Sequence, residues 1–96
     1  MKMIVQKSTR KNKKYMALFK EGSIIKKTTH FGSKGMSDFT LSRNEEQRAR
    51  YRTRHKKDLR TRDPMRAGYL SYYLLWGQST SLRQNIKTYK KRFNFD

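Results

Sequence analysis

The sequence contains no cysteine, which excludes a disulfide framework and any chemistry that needs a thiolate. It has only two histidines, so the usual ligands of a zinc site are too few. Its longest apolar stretch, YLSYYLLW at 69–76, is far too short to cross a bilayer. The first residues, MKMIVQK, lack the apolar run of a signal peptide. These absences fit a reducing compartment and predict a soluble or peripheral chain without cofactors.

Acidic residues are scarce. Seven Asp and Glu stand against 25 Lys and Arg, so the formal net charge is +18. Such a charge repels itself unless an anionic surface neutralises it. Nucleic acid is the usual anion at this charge density, and an acidic protein surface or an anionic membrane face are the other candidates.

Apolar residues are also few. Only 33% of the 96 residues are hydrophobic, which predicts one domain with a small core in which the aromatic residues supply much of the buried area. A chain so poor in apolar residues is either marginally stable alone or completed by a partner.

Three strands are predicted in the first third of the chain. Residues 2–7 (KMIVQK), 14–20 (KYMALFK) and 23–31 (SIIKKTTHF) have alternating or β-branched patterns. Glu21-Gly22 marks a tight turn between the last two strands. These segments form an antiparallel β-hairpin or a three-stranded meander. It should pack on the rest of the chain, because an isolated hairpin is marginally stable.

A first helix is predicted over 43–57. SRNE at 42–45 matches a capping box, with Ser42 as the N-cap and Glu45 three residues later. The neutral stripe of this helix is thin, so it should contact the core narrowly. That stripe is Tyr51, His55 and Leu59.

A second helix, over 64–76, should be the centre of the fold. Asp63 is its predicted cap, Pro64 suits the first helical position, and Gly77 suits a left-handed residue after the C-terminus. PMRAGYLSYYLLW is apolar nearly all round, which is typical of a buried helix. Its Tyr72, Leu75 and Trp76 should be largely buried.

A third helix is predicted over 80–92. Its apolar residues form a single stripe at helical spacing, namely Leu82, Ile86, Tyr89 and Phe93. The predicted fold class is therefore α+β, a small antiparallel sheet followed by three helices. It is a single basic domain, 1–96, with a β part at about 2–31, a loop at 32–42 and a helical part at about 43–93.

The loop GSKGMS at 32–37 raises the question of phosphate binding. It does not match the Walker pattern, because Lys34 precedes the second glycine. The GxxG spacing occurs in the loop with which KH domains clamp a nucleic-acid backbone, but that loop joins two helices and this one follows a strand. We interpret it as a glycine turn that redirects the chain after Phe31.

The sharper signal is the basic segment EEQRARYRTRHKKDLRTR at 45–62. Residues 48–57 contain no acid, whereas a merely solvated helix normally mixes charges of both signs. Its alternating arginines point around the whole helix, and guanidinium groups suit phosphate and carboxylate. With two further basic patches, the predicted anion- or partner-binding residues are Arg10, Lys11, Lys13, Lys14, Lys34, Arg43, Arg48, Arg50, Arg52, Arg54, Lys56, Lys57, Lys90, Lys91 and Arg92.

No catalytic or metal-binding residues are predicted. Asp38, Glu45 and Glu46 could be imagined as a nuclease cluster, but the two glutamates suit the first turn of a helix. Asp58 and Asp63 suit loop and cap positions, and no nucleophile–base pair can be argued from spacing. We therefore expect no enzymatic activity.

Four segments resemble a known family: HFGSKGMSDFT (30–40), RYRTRHKK (50–57), DPMRAGYLSYYLLWG (63–77) and KKRF (90–93). They are similar to small basic proteins of nucleocytoplasmic large DNA viruses, including chlorella-infecting and giant amoebal viruses, and of some algae. The similarity covers about residues 14–93. It implies a viral setting and no particular chemistry, because that family has no assigned activity.

Two functions are consistent with this combination. The leading expectation is a minor capsid or cementing protein, found in the virion and, during assembly, in the host cytoplasm or nucleus. It would bind acidic surfaces of other capsid proteins. The alternative is a sequence-nonspecific DNA-binding or genome-condensing protein. Contact with the surface of an inner membrane stays open as a third arrangement.

Overall fold

The computed structural model describes all 96 residues as an α+β fold. Three antiparallel strands form one sheet in the order β1-β2-β3, and helical segments come after them. The strands are β1 (Lys2–Lys7), β2 (Lys13–Glu21) and β3 (Ile24–Ser33). The helices are α1 (Phe39–Ser42), α2 (Glu45–His55), a 3₁₀ segment (Lys56–Thr61), α3 (Ala67–Leu70), a π-helical turn (Ser71–Leu75) and α4 (Leu82–Phe93).

The predicted fold, with three helices, is wrong, because the structure has four α-helices. The additional one, α1, lies within the segment 32–42 that was predicted as loop. Asp38 creates it: one carboxylate oxygen accepts hydrogen bonds from the backbone N–H and the hydroxyl of Thr40. A four-residue helix has no apolar period that a sequence pattern could reveal.

The predicted capping box of the first long helix is also wrong. Ser42 is the last residue of α1, and the N-cap of α2 is Asn44, whose side-chain oxygen accepts from the backbone N–H of Gln47 at 3.0 Å. Consequently α2 begins at Glu45. It ends at His55 instead of residue 57, and the chain tightens there into the 3₁₀ segment.

The central helix consists of α3 and the π-helical turn that follows it. It starts later than predicted, and its last turn is wider than that of an α-helix. Asp63 accepts from the backbone N–H of Met65 at 2.9 Å in a turn, and α3 begins only at Ala67. The backbone N–H of Trp76 bonds to the carbonyl oxygen of Ser71, five residues back, which is the π-helical pattern.

Gly77 does not adopt the left-handed conformation predicted for it, since its φ is not positive. Instead, the absence of a side chain at Gly77 lets neighbouring groups approach its backbone closely. A Cβ there would overlap the carbonyl oxygen of Tyr73 and the side-chain amide of Asn85. Asn85 fills this space from α4, donating to the carbonyl oxygens of Leu74 and Ser79 at 3.0 and 2.8 Å.

One face of the sheet forms half of the core. Met3 pairs with Phe19 across β1 and β2, Tyr15 pairs with Phe31 across β2 and β3, and Met3, Phe19 and Phe31 are fully buried. Gly22, with a φ of 59°, makes the tight turn between β2 and β3. These are the residues whose alternation indicated strands.

The other half of the core comes from the central helix, as predicted. Tyr72, Leu75 and Trp76 are 6%, 2% and 7% exposed. On α4, Tyr89 is buried, and the rest of its predicted stripe packs partly buried against the core, namely Leu82, Ile86 and Phe93. None of the helices has the length and apolar character needed to span a bilayer.

Candidate anion- and partner-binding surface

Few of the positive charges are neutralised within the fold. Only four of the 25 lysines and arginines lie within 4.0 Å of a carboxylate. They are Lys14, Lys27, Arg50 and Arg66. The remaining cations occur on every strand and every long helix, so the molecule offers anion contacts on several sides.

The four alternating arginines of α2 separate into two pairs. Arg48 and Arg52, four residues apart, point toward the central helix. The Nε of Arg48 donates to the carbonyl oxygen of Gly77 at 2.7 Å. One terminal nitrogen of Arg52 donates to Tyr72 O at 3.1 Å and Trp76 O at 2.8 Å.

These two arginines therefore hold the C-terminal end of the central helix, where unpaired carbonyl oxygens carry partial negative charge. The guanidinium carbon of Arg52 also lies 4.0 Å from the ring centroid of Tyr72, a cation–π contact. Desolvation lowers the pKa of Arg52, and the positive charges of Arg48 and Arg92 lower it further. Both contacts are structural and occupy only part of each guanidinium group, so whether Arg48 and Arg52 also bind an anion stays a prediction.

The other pair, Arg50 and Arg54, faces solvent. The 3₁₀ segment continues their surface with Lys56, Lys57 and Arg60, all exposed. We call these five residues the basic ridge. Only Arg50 has an acidic neighbour, Glu46 at 3.9 Å. Both side chains are mostly exposed, so this ion pair is weak and leaves Arg50 able to bind another anion.

The other predicted binding residues do not form one site. Arg10 and Lys11 are exposed in the β1–β2 connection, Lys34 in the loop after β3, and Arg43 between α1 and α2, whereas Lys90, Lys91 and Arg92 lie on the last turn of α4. Lys13 and Lys14 are partly buried at the start of β2. Lys14 binds Asp38 at 2.6 Å, with side-chain exposures of 13% and 3%, and is therefore a core ion pair.

The loop predicted from residue 32 begins later, because Gly32 and Ser33 are the last residues of β3 and the turn lies at Lys34 and Gly35. Both glycines have positive φ, 79° at Gly32 and 90° at Gly35. The backbone N–H of Lys34 donates to the carbonyl oxygen of Asn12, which ties the loop to the β1–β2 connection. The Lys34 side chain itself is exposed and makes no hydrogen bond. Whether it contacts a phosphate stays a prediction.

A groove of about 420 Å³ separates this loop from α2. Two pairs of its ionisable groups contact each other: His55 Nδ1 lies 3.0 Å from Asp58, and Lys14 binds Asp38. Lys13 and Arg54 line the groove without a carboxylate within 4.0 Å. Burial, aided by the charge of Asp58, raises the pKa of Tyr51 to about 12. No group of three or more His, Asp or Glu side chains lies together in the fold.

Large apolar side chains are exposed at both ends of β3, which the sequence patterns did not single out. Ile24 and Ile25 are 61% and 53% exposed at its start; beyond its end, Met36 and Leu41 are 65% and 67% exposed. The two clusters lie at opposite ends of the ten-residue strand β3, which is about 30 Å long. Each cluster adjoins exposed cations, Lys26 at one end and Lys34 and Arg43 at the other.

Residues 3–55 match DUF5754, described as a family of unknown function. The match covers more than half of the chain. It runs through the sheet and α1 to the last residue of α2, so it includes the four arginines of α2 and the loop after β3. No curated protein and no solved structure matches the chain.

Proposed function

We propose that this chain, which belongs to the DUF5754 family of unknown function, is a non-enzymatic structural protein that binds acidic surfaces of partner proteins. The exposed apolar clusters at the two ends of β3 carry this proposal. Protein interfaces combine apolar anchors with complementary charge around them, and both clusters have that composition. Binding to a phosphate backbone requires only positive charge and would not explain the exposed apolar side chains.

The proposed setting is the virion of a large DNA virus, where the protein acts as a minor capsid or cementing component. The resemblance of its four segments to small basic viral proteins supports this setting. Two apolar clusters at opposite ends of a strand about 30 Å long suit a small protein wedged between two larger ones. Such a partner would also supply the acid that the chain itself lacks.

Duplex DNA is the second candidate, and a separate observation favours it. Only four of the 25 cations lie within 4.0 Å of a carboxylate, so most of the cations on the basic ridge and on other elements are available to phosphates. The basic helix offers phosphate contacts but no clear set of side chains for reading base edges, so we expect binding that is blind to sequence.

The first experiment changes one apolar anchor at each end. Leu41→Ser and Ile25→Ser should each reduce incorporation into purified virions without unfolding the domain, because both side chains are mostly exposed. Thr28→Ala, a position on β3 between the clusters, is the matched control and should incorporate normally. Absence of the wild-type protein from quantitative proteomics of virions would refute the virion setting.

The second experiment tests DNA through its salt dependence. If about six to eight phosphates are neutralised, affinity for a short duplex should fall about 10³–10⁵-fold between 50 and 200 mM salt. Arg54→Gln on the basic ridge should lower the slope of log affinity against log salt concentration by about 1, and Thr53→Ala, its exposed uncharged neighbour on α2, serves as the control. A shallow dependence of DNA affinity on salt would exclude DNA as the partner. If virion incorporation is then lost only in the Leu41 and Ile25 variants, the protein partner is favoured.

A further inference from the structure

A cavity of about 460 Å³ lies between α2, α4 and the end of the central helix. Three arginines converge on it: Arg48 and Arg52 from α2, and Arg92 from α4. Tyr73 and Tyr89 form aromatic walls, and amide and hydroxyl side chains from 78–88 complete the lining. No acidic residue lines the cavity, although the arginines are close enough to interact.

The arginines keep hydrogen-bond donors to spare. Arg48 uses only its Nε, for Gly77, and Arg52 uses only one terminal nitrogen, for the two carbonyl oxygens. Arg92 makes no hydrogen bond within the protein; its guanidinium carbon lies 5.1 Å from the ring centroid of Tyr73. Since a guanidinium group carries five N–H donors, most of the donors at this cavity are unused.

Charge is likewise unbalanced here. Arg48 and Arg92 both act on Arg52, and no carboxylate compensates the three positive charges. A bound anion would relieve this repulsion, in a partly desolvated place where charge-assisted hydrogen bonds are strong.

We propose that this arginine cavity binds a phosphate monoester, with the phosphate group held among Arg48, Arg52 and Arg92. Charge selects this chemistry. A phosphate monoester carries a charge of about −1.5 to −2 at neutral pH, whereas a carboxylate or a phosphodiester of the nucleic-acid backbone carries one. Volume agrees, because small-molecule sites typically occupy about 300–1,000 Å³ and the phosphate alone would leave room for an attached group. Tyr73, which is partly exposed, is placed to contact that group.

This site is distinct from the proposed partner surface, since none of the residues that line it belongs to the apolar clusters or to the basic ridge. It would therefore persist whether the protein partner or DNA proves correct. Its ligand is either a free phosphorylated small molecule or a phosphorylated side chain of another protein, which present the same monoester.

The first test is isothermal titration at constant ionic strength in chloride, using inorganic phosphate, phenyl phosphate and dimethyl phosphate as probes. Inorganic phosphate should bind saturably with one site per chain. Phenyl phosphate should bind more tightly because of the tyrosine walls, and dimethyl phosphate, a diester, about tenfold more weakly. Saturable binding of O-phosphoserine but not of phenyl phosphate would assign the site to a modified side chain. Equal binding of all probes, or unsaturable binding, refutes the monoester site.

Variants locate the binding. Arg92→Gln should weaken phosphate binding about tenfold or more, since it removes charged hydrogen bonds. Arg83→Gln makes the same charge change on the same helix but outside the cavity, and it should change affinity less than about twofold. If both variants weaken phosphate binding equally, the binding depends only on the overall positive charge of the protein, and the proposed site is refuted.

Gln84→Glu tests the cavity with a substitution that should not destabilise the fold. Gln84 lines the cavity and is the third residue of α4 after its N-cap, Ser81, where glutamate completes a capping box. The new carboxylate should keep or raise the melting temperature and still weaken phosphate binding about tenfold. Unchanged affinity in this variant contradicts the proposal.

Discussion

The rings of Tyr51 and Trp76 stack with their centroids 4.4 Å apart and their planes 9° from parallel. This contact joins the thin neutral stripe of α2 to the end of the central helix. His55 stacks on the other side of Tyr51, at 4.1 Å. One aromatic column therefore fixes the basic helix against the core, so that its charged faces are held in defined directions.

Trp76→Ala should lower the free energy of unfolding by about 3–5 kcal/mol, because it removes a buried indole and the stack. For so small a domain this approaches the whole stability. Urea unfolding followed by circular dichroism measures it. Trp76→Phe keeps an aromatic ring at the same place and should lower the free energy of unfolding less. If the alanine variant unfolds at the same urea concentration as the wild type, Trp76 does not have the predicted role in the core.

The arginines of α2 should divide by role. Arg52→Gln should cost about 1.5–3 kcal/mol of stability, because a charged donor to the carbonyl oxygens of the central helix is lost. Arg50→Gln and Arg54→Gln should leave stability within about 0.5 kcal/mol and reduce only binding. Unfolding curves and DNA or partner affinities for the same variants check this. Equal effects of all these variants in either measurement would contradict the division.

Lys14→Met should lower stability by about 3 kcal/mol, because Asp38 would remain as a buried carboxylate without its cation. Lys13→Met is the matched control: the neighbouring lysine has no carboxylate within 4.0 Å and should change stability by about 0.5 kcal/mol or less. Chemical denaturation at neutral pH compares them. A similar loss in both variants would mean that the stem of the lysine, and not the ion pair, matters.

Stability should fall as the pH drops below 6.5, in part through His30. Desolvation, followed by the charges of Arg10 and Lys13, lowers the pKa of His30 in the folded state. The unfolded chain then binds a proton at higher pH than the folded chain, so acid favours unfolding from about pH 6.5 down to the folded pKa. The hydroxyl of Ser8 is the hydrogen-bond partner of His30 Nδ1, at 2.7 Å.

The measurement is urea denaturation of wild type and His30→Gln at pH 7.5, 6.5 and 5.5. Because His55 is present in both proteins, the difference between their pH profiles isolates His30. The variant should lose less stability on acidification. Parallel profiles would show that another group is responsible.

Strands and core were readable from the sequence because their signals are local. Alternation identified β2, Gly22 identified a turn, and the all-round apolarity of 64–76 identified the central helix. The caps failed because several polar residues lay near each helix start. Asn44 took the role that had been assigned to Ser42, and Asp38 caps α1, a helix that was not predicted.

The site was harder to predict because its contacts are long-range. Lys14 and Asp38 are 24 residues apart, and the sequence placed Lys14 among surface cations. One signal was present but unused: Arg48 and Arg52 are spaced by four, so they share one face of α2, and Arg50 and Arg54 share another. The exposure of Leu41 depends on α1, which no pattern indicated.

The π-helical turn has a consequence for the length of the chain. In an α-helix the backbone N–H of Trp76 would bond to Tyr72 O, but it bonds to Ser71 O, and Tyr72 O accepts from Arg52 instead. Deleting one residue from 71–75 would convert this wide turn into an ordinary helical one and withdraw that acceptor. The residue count of this segment, and not only its side chains, therefore sets how many backbone acceptors the central helix offers to Arg52, and so how the basic helix attaches.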